Sequence, residues 1–255
     1  MEAPAIKRVL ILHSFGRDFA PYNAVSSVFR TELARQSAAP IEFLEASLET
    51  VRFTESGSEI PIVDYLRVLI ADRPPALVVP FGAPAMNFLQ RHRERLLPDV
   101  PILFSAFDRR HLRDVSLGAN TTAVSVNLDL RGIVENILHG LPRTTTIAVV
   151  IGNSPLEKFW LTELRQELQP FTNRVQFIWL NELSFESMRK RLAALPPNSA
   201  IFYALLLVDA AGIPYDQVIN GSASHRPVLF LVQLACGIYS NKSRFTSVPG
   251  ARFER

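Results

Sequence analysis

A single cysteine, Cys236, stands in the chain, so no disulfide can close within it and no thiolate cluster can hold a metal. No apolar run approaches the ~18 residues of a membrane span. The opening MEAPAIKRVLILHSF has only a short apolar stretch before His13 and Arg17, and it reads as a first strand, not a signal peptide. None of the 11 glycines completes a G-x-G-x-x-G or Walker-type G-K-[ST] loop, which argues against nucleotide binding and phosphate transfer. The G-x-S-x-G elbow is missing too, because Gly152-Asn153-Ser154-Pro155-Leu156 lacks the second glycine. His13, His92, His111, His139 and His225 are scattered without H-E-x-x-H or other ligand spacing, and each is expected to be a surface or capping residue. No metal and no cofactor are therefore expected. Asp108 and Asp129 could act as paired carboxylates only if folding happened to bring them together. The N-x-[ST] matches at Asn120, Asn220 and Asn241 are read as chance.

Little of the basic excess falls within the body of the chain. From residue 226 onward, Arg226, Lys242, Arg244, Arg252 and Arg255 stand against Glu254, five minus one, or +4 against a total of +3. A nucleic-acid binder would spread its cations over a folded face with interleaved aromatics, so no nucleic-acid partner is expected despite the sequence pI of 9.2. At 48% hydrophobic and 20% charged, the composition is that of a globular protein with a sizeable core.

What the sequence does contain is an alternation of strands and amphipathic helices. Arg8 to Leu12 is a short apolar run that ends in polar Ser14 and Gly16, as a buried parallel strand would. Val25, Val28, Phe29 and Leu33 then share a helical face behind Pro21. Ile41 to Ala46 reads as a strand, and Ile60, Val63, Leu66 and Ile70 mark a helix. Ala76 to Pro80 is the next strand, with a helix opening at Gly82-Ala83-Pro84, and Val100 to Phe104 follows as a fourth strand. After a crossing strand at Thr122 to Val126 the pattern restarts, beginning with the stripe Leu130, Ile133, Val134, Ile137, Leu138 and Leu141. Thr145 to Ile151 is a strand that runs into Ser154-Pro155-Leu156-Glu157, which has the spacing of a capping box with proline at the first helical position. Strands at Val175 to Leu180 and Ala200 to Tyr203 flank a helix from Phe185 to Leu195. This order predicts an α/β fold of two lobes, 1–125 and 126–235, with mostly parallel sheets and helices on both faces. Residues 236–255 form an atypical basic tail, in which Ser240 to Arg255 lacks apolar periodicity and is expected to be loosely packed or disordered.

In open α/β sheets, ligands sit beyond the carboxyl ends of the strands. That rule nominates Ser14-Phe15, Gly82-Ala83 and Ser105 to Asp108 in the first half, and Gly152 to Ser154 and Ala204 to Asp209 in the second. For any one of these residues a structural reading competes. Gly82 and Gly152 can simply permit tight turns, Ser154 can simply cap, and Phe15 and Phe107 can be core.

The segments Val9 to Asp18, Phe43 to Leu48, Val78 to Ala85 and Ala148 to Pro155 resemble the ABC-transporter substrate-binding-protein-like family. More narrowly, they are similar to the extracytoplasmic solute-sensing region of bacterial sensor histidine kinases. The likeness spans roughly residues 7–214 and rests on ordered similarity, not on one diagnostic motif. It implies a two-lobed type I periplasmic-binding-protein-like fold, no enzymatic activity and a periplasmic location; the lack of a signal peptide leaves a cytoplasmic one open. It also implies non-catalytic binding of a small organic solute, an amino acid or similar carboxylate, in an interlobe cleft. Carried over position by position, the cleft lining would be Ser14, Phe15, Gly82, Ala83, Phe107, Asp108, Asn153 and Ser154. The helix opening at Pro155 is expected to seat an anionic group on its free N–H groups. The partners implied are a sensor kinase core or an ABC permease, on other polypeptides or in a longer parent. The chain departs from the family after Gly237-Ile238, where its ending differs. Two other functions remain open: a stand-alone solute-binding component of an ABC transporter, and a flavodoxin-like enzyme.

Overall fold

The computed structural model describes residues 5–19, 22–50, 59–113, 115, 117–118 and 120–215, and the backbone of 246–247. The chain divides into two compact units: unit 1 comprises residues 1–127 with 244–255, and unit 2 residues 128–243. Elements are numbered β1 to β9 and α1 to α6 in chain order.

Unit 1 holds β1 (Lys7–His13), α1 (Tyr22–Gln36), β2 (Ile41–Ser47), α2 (Ile60–Ile70), β3 (Leu77–Phe81), α3 (Ala83–Leu96), β4 (Ile102–Asp108), a 3-10 turn (Arg109–Leu112), β5 (Thr121–Val126) and β9 (Thr246–Ser247). Its sheet has the order β2-β1-β3-β4-β5-β9, parallel throughout except for β9. Val9 to Leu12 are all buried, so both faces of β1 are covered, which is why it reads as an unbroken apolar run. On one face Val9, Ile11, Val79 and Phe81 take Tyr22, Val25, Phe29 and Leu33 of α1. Val28 was expected on that stripe and is instead 64% exposed. The spacing explains the difference. Residues 25, 29 and 33 advance about 40° per step at 3.6 residues per turn, whereas 28 falls about 60° to the other side of 25.

Near its carboxyl end β4 slips register against β5 between Phe104 and Phe107. Ala106 there takes φ +57°, a left-handed conformation unusual for a residue with a side chain. Such a bulge re-aims the residues that follow it. The expectation for the basic tail falls outside the described residues except at Thr246–Ser247, where it is corrected. This stretch pairs antiparallel with Val124 and Ser125, so the backbone ladder of β5 holds it in the sheet. The end of the second half near residue 235 and the Pro21 start also lie outside the described residues.

Unit 2 holds α4 (Leu130–Gly140), β6 (Thr146–Ile151), α5 (Pro155–Leu168), a 3-10 turn (Gln169–Phe171), β7 (Gln176–Trp179), α6 (Phe185–Ala193) and β8 (Ser199–Leu205). The parallel sheet has the order β7-β6-β8. All six residues of β6 are buried, as its central position requires. Val150, Leu180, Met188 and Leu206 form a core against α6.

Candidate functional site

Each unit presents the carboxyl ends of its strands as a rim, and the nominated residues stand on these two rims. On unit 1, Ser14 follows β1 and is fully buried. Its hydroxyl donates to the Phe81 carbonyl at 2.6 Å and accepts the Ala85 N–H at 2.9 Å. Gly82, the N-cap of α3, has no side chain to cap with, so Ser14 caps that helix from 68 residues away in sequence. Gly82 is irreplaceable for a second reason. It takes φ +89°, and a Cβ there would lie 2.8 Å from Ser14 Oγ and 2.9 Å from the Tyr22 ring. Ala83 opens the helix and is buried. The hydroxyl of Ser14 is thus spent on the fold. Ser14→Ala should lower stability by about 1–3 kcal/mol by leaving the Ala85 N–H without its acceptor, measured as a shift of the urea midpoint at constant slope.

Phe15 joins Phe19 and Tyr22 in an aromatic group, with centroids 4.2 Å and 6.0 Å from Phe15. Burial pushes the Tyr22 hydroxyl up to about 12, so it stays protonated. Phe107 is buried at the bulge, and Asp108 accepts the Arg110 N–H and one Arg110 guanidinium nitrogen on both oxygens at 2.9 Å. Burial, aided by the Arg110 charge and opposed by Asp108, pushes the neighbouring His111 down to about 4, which keeps it neutral. His13 is corrected from a surface or capping residue. It is buried at the end of β1, with Nε2 2.9 Å from Glu45. Arg17 and Arg30 donate to the same Glu45 carboxylate. Burial raises the Glu45 pKa, but the His13 hydrogen bond and the two guanidinium charges outweigh it and hold the group below the usual range.

On unit 2, the expected capping box is present: Ser154 Oγ accepts the Glu157 N–H, and Glu157 accepts the Ser154 N–H at 2.7 Å. The expected anion seat is not available, because Glu157 fills it. This carboxylate is fully buried and also accepts the Leu207 N–H at 2.5 Å and the Val208 N–H at 3.3 Å. Pro155 has no N–H to offer, so little donor capacity remains at this helix end for an outside carboxylate. Asn153 donates its backbone N–H to the Val208 carbonyl, and its half-buried side-chain amide stays uncommitted among the described residues. Asp129 caps α4 by accepting the Gly132 N–H.

The sequence did not mark three rim residues that the structure singles out. His13 Nδ1 at the end of β1, Ser125 Oγ near the end of β5 and Asn181 Oδ1 just past β7 are buried polar atoms with no hydrogen-bond partner among the described residues. A buried polar atom without a partner is costly, and a ligand group is one way to satisfy it. No local pattern distinguishes them; their common feature is position at a strand's carboxyl end. Among the described residues no group of three or more His, Cys, Asp or Glu could hold a metal ion, and no helix is long and apolar enough to cross a membrane.

No family model and no curated protein matches the chain. Among solved structures, it is similar to an ABC domain in complex with L-Trp from Streptococcus pneumonia, at TM-score 0.53 and 17% identity over 76% of this chain and 64% of that one. A conserved domain protein from Vibrio cholerae matches at TM-score 0.52 and 17% identity, over 77% and 64%. A substrate binding protein with adhesive properties from Clostridium difficile, in its ligand-free, open form, matches at TM-score 0.53 and 13% identity, over 78% and 65%. The chain thus spans a little under two thirds of the length of these structures. The fold is α/β with parallel sheets, of the two-lobed type I periplasmic-binding-protein kind.

Proposed function

We propose that this chain binds a small organic solute without catalysis, as the solute-recognising part of a periplasmic sensing or import system. The observation that carries the reading is the set of buried polar atoms at the strand carboxyl ends in each unit that have no hydrogen-bond partner among the described residues, where α/β sheets place their ligands. The buried carboxylates favour binding over turnover. Asp108 and Glu157 each accept backbone N–H groups, which leaves them poorly placed as general acids or bases. Asn181 Oδ1 is an acceptor and asks for a donor such as an ammonium or hydroxyl, and the similar Streptococcus domain holds an amino acid. An amino acid is therefore the first solute class to test. A sensor histidine kinase is the partner this reading prefers, with an ABC permease as the alternative.

A thermal-shift screen of the full chain against amino acids and monosaccharides tests the reading. A solute at 100 times its dissociation constant should stabilise by about 2.7 kcal/mol. Asn181→Ala should weaken that solute at least tenfold in calorimetry, with a melting point close to the parent. A screen without hits in either class, or turnover of a hit, sinks the proposal.

A further inference from the structure

Unit 2 contains a cavity of about 460 Å³ between the C-terminal half of α5, the turn that follows it and β7. A crossover helix returns the chain from strand carboxyl ends to amino ends, so the last turn of α5 and residues 169–176 lie at the end of the sheet opposite the rim. One side of the cavity is aromatic. Phe177 and Trp179 stand two apart on β7 and share a face, with centroids 5.8 Å apart and planes at 28°. The Arg165 guanidinium lies over the Trp179 ring at 5.4 Å, and Arg174 adds a second cation. Among the described residues no acid lines the cavity, and neither arginine makes an ion pair or a side-chain hydrogen bond.

This arrangement suits a particular chemistry. Stacking on an indole holds a guanidinium plane without using any of its five N–H donors, so the fork remains free to meet a carboxylate or phosphate. The neighbouring rings offer a flat apolar wall, and the volume falls within the ~300–1,000 Å³ of small-molecule sites. We infer that this cavity is a second ligand site, independent of the rim, which takes an organic anion with a flat aromatic body.

Calorimetry of the full chain with 2-naphthoate tests the assignment. Saturable one-to-one binding is expected. Arg165→Ala and Arg174→Ala should each weaken it at least tenfold, and Arg165→Lys should weaken it too, because an ammonium cannot present a planar fork. Both arginines are exposed, so unchanged melting points should accompany these losses. The uncharged 2-naphthamide and the non-planar decahydro-2-naphthoate should bind at least tenfold more weakly, and Asn181→Ala should leave 2-naphthoate affinity unchanged. The inference is overturned if no saturable heat appears, if the alanine variants bind equally well, if naphthamide matches naphthoate, or if Asn181→Ala abolishes binding.

Discussion

Glu157→Ala should destabilise the protein by at least about 3 kcal/mol, because it orphans the N–H groups of Ser154, Leu207 and Val208 in a site with no exposure to solvent. Each such group costs ~1–3 kcal/mol when left unpaired, and the vacated volume adds to the loss. The melting point should fall by more than about 10 °C. No small side chain relieves the packing on the other side, since a Cβ on Gly152 would run into the Glu157 carboxylate and the Val208 carbonyl. The pH dependence carries a distinct signature. Burial raises the Glu157 pKa above its ordinary 4.5, and the hydrogen bonds from Ser154, Leu207 and Val208 only partly offset this. A raised acid favours the folded state most below its unfolded pKa, and that contribution is lost as pH rises through the folded value. The difference in unfolding free energy between parent and Glu157→Gln should therefore shrink from pH 4 toward pH 8. A difference that stays constant or grows with pH would contradict this reading.

Glu157 also shows what can be read from a sequence and what cannot. The box Ser154-Pro155-Leu156-Glu157 is local: an N-cap and its reciprocal partner are three residues apart, so spacing alone announces them. That the same carboxylate reaches Leu207 and Val208, 50 and 51 residues on, follows from the β6–β8 pairing and leaves no trace in the local pattern. This is why the helix end looked like a free anion seat. Ser14 is the same case in unit 1, where the N-cap of its partner helix, Gly82, comes 68 residues later and its missing cap was legible only as a turn. The helices were legible because their burial is periodic and the central strands β1 and β6 because they are short unbroken apolar runs, whereas Val28 sits at the edge of its stripe and is exposed. His13 Nδ1, Ser125 Oγ and Asn181 Oδ1 matter through the absence of a partner among the described residues, and a sequence does not display absent partners.

Asp209→Ala should cost about 2–3 kcal/mol and should show the opposite pH signature to Glu157. The Asp209 side chain, 1% exposed, accepts the N–H groups of Phe185, Ala211 and Ile213 and the hydroxyl of Tyr215, at 2.9–3.0 Å. It therefore ties the first residue of α6 to the loop that follows β8, with its negative charge at the positive end of a helix. Hydrogen bonds to a charged group contribute ~1.5–3 kcal/mol, and the loss stays below the sum over four because Ala211 and Ile213 are exposed and water can take over. Burial raises the Asp209 pKa, but the bonds from Phe185, Ile213, Tyr215 and Ala211 outweigh it and bring the group below its ordinary 3.8. A depressed acid contributes stability above its unfolded pKa and loses it as pH falls through the folded value. Parent and Asp209→Asn should then differ fully at pH 5 to 7 and converge as pH falls below about 3.8, whereas parent and Glu157→Gln converge in the other direction. Urea unfolding of both variants from pH 3 to pH 8 checks the pair. If the Asp209→Asn difference persists undiminished at pH 3, the four bonds do not favour the ionised carboxylate, and the loop after β8 is held by packing alone.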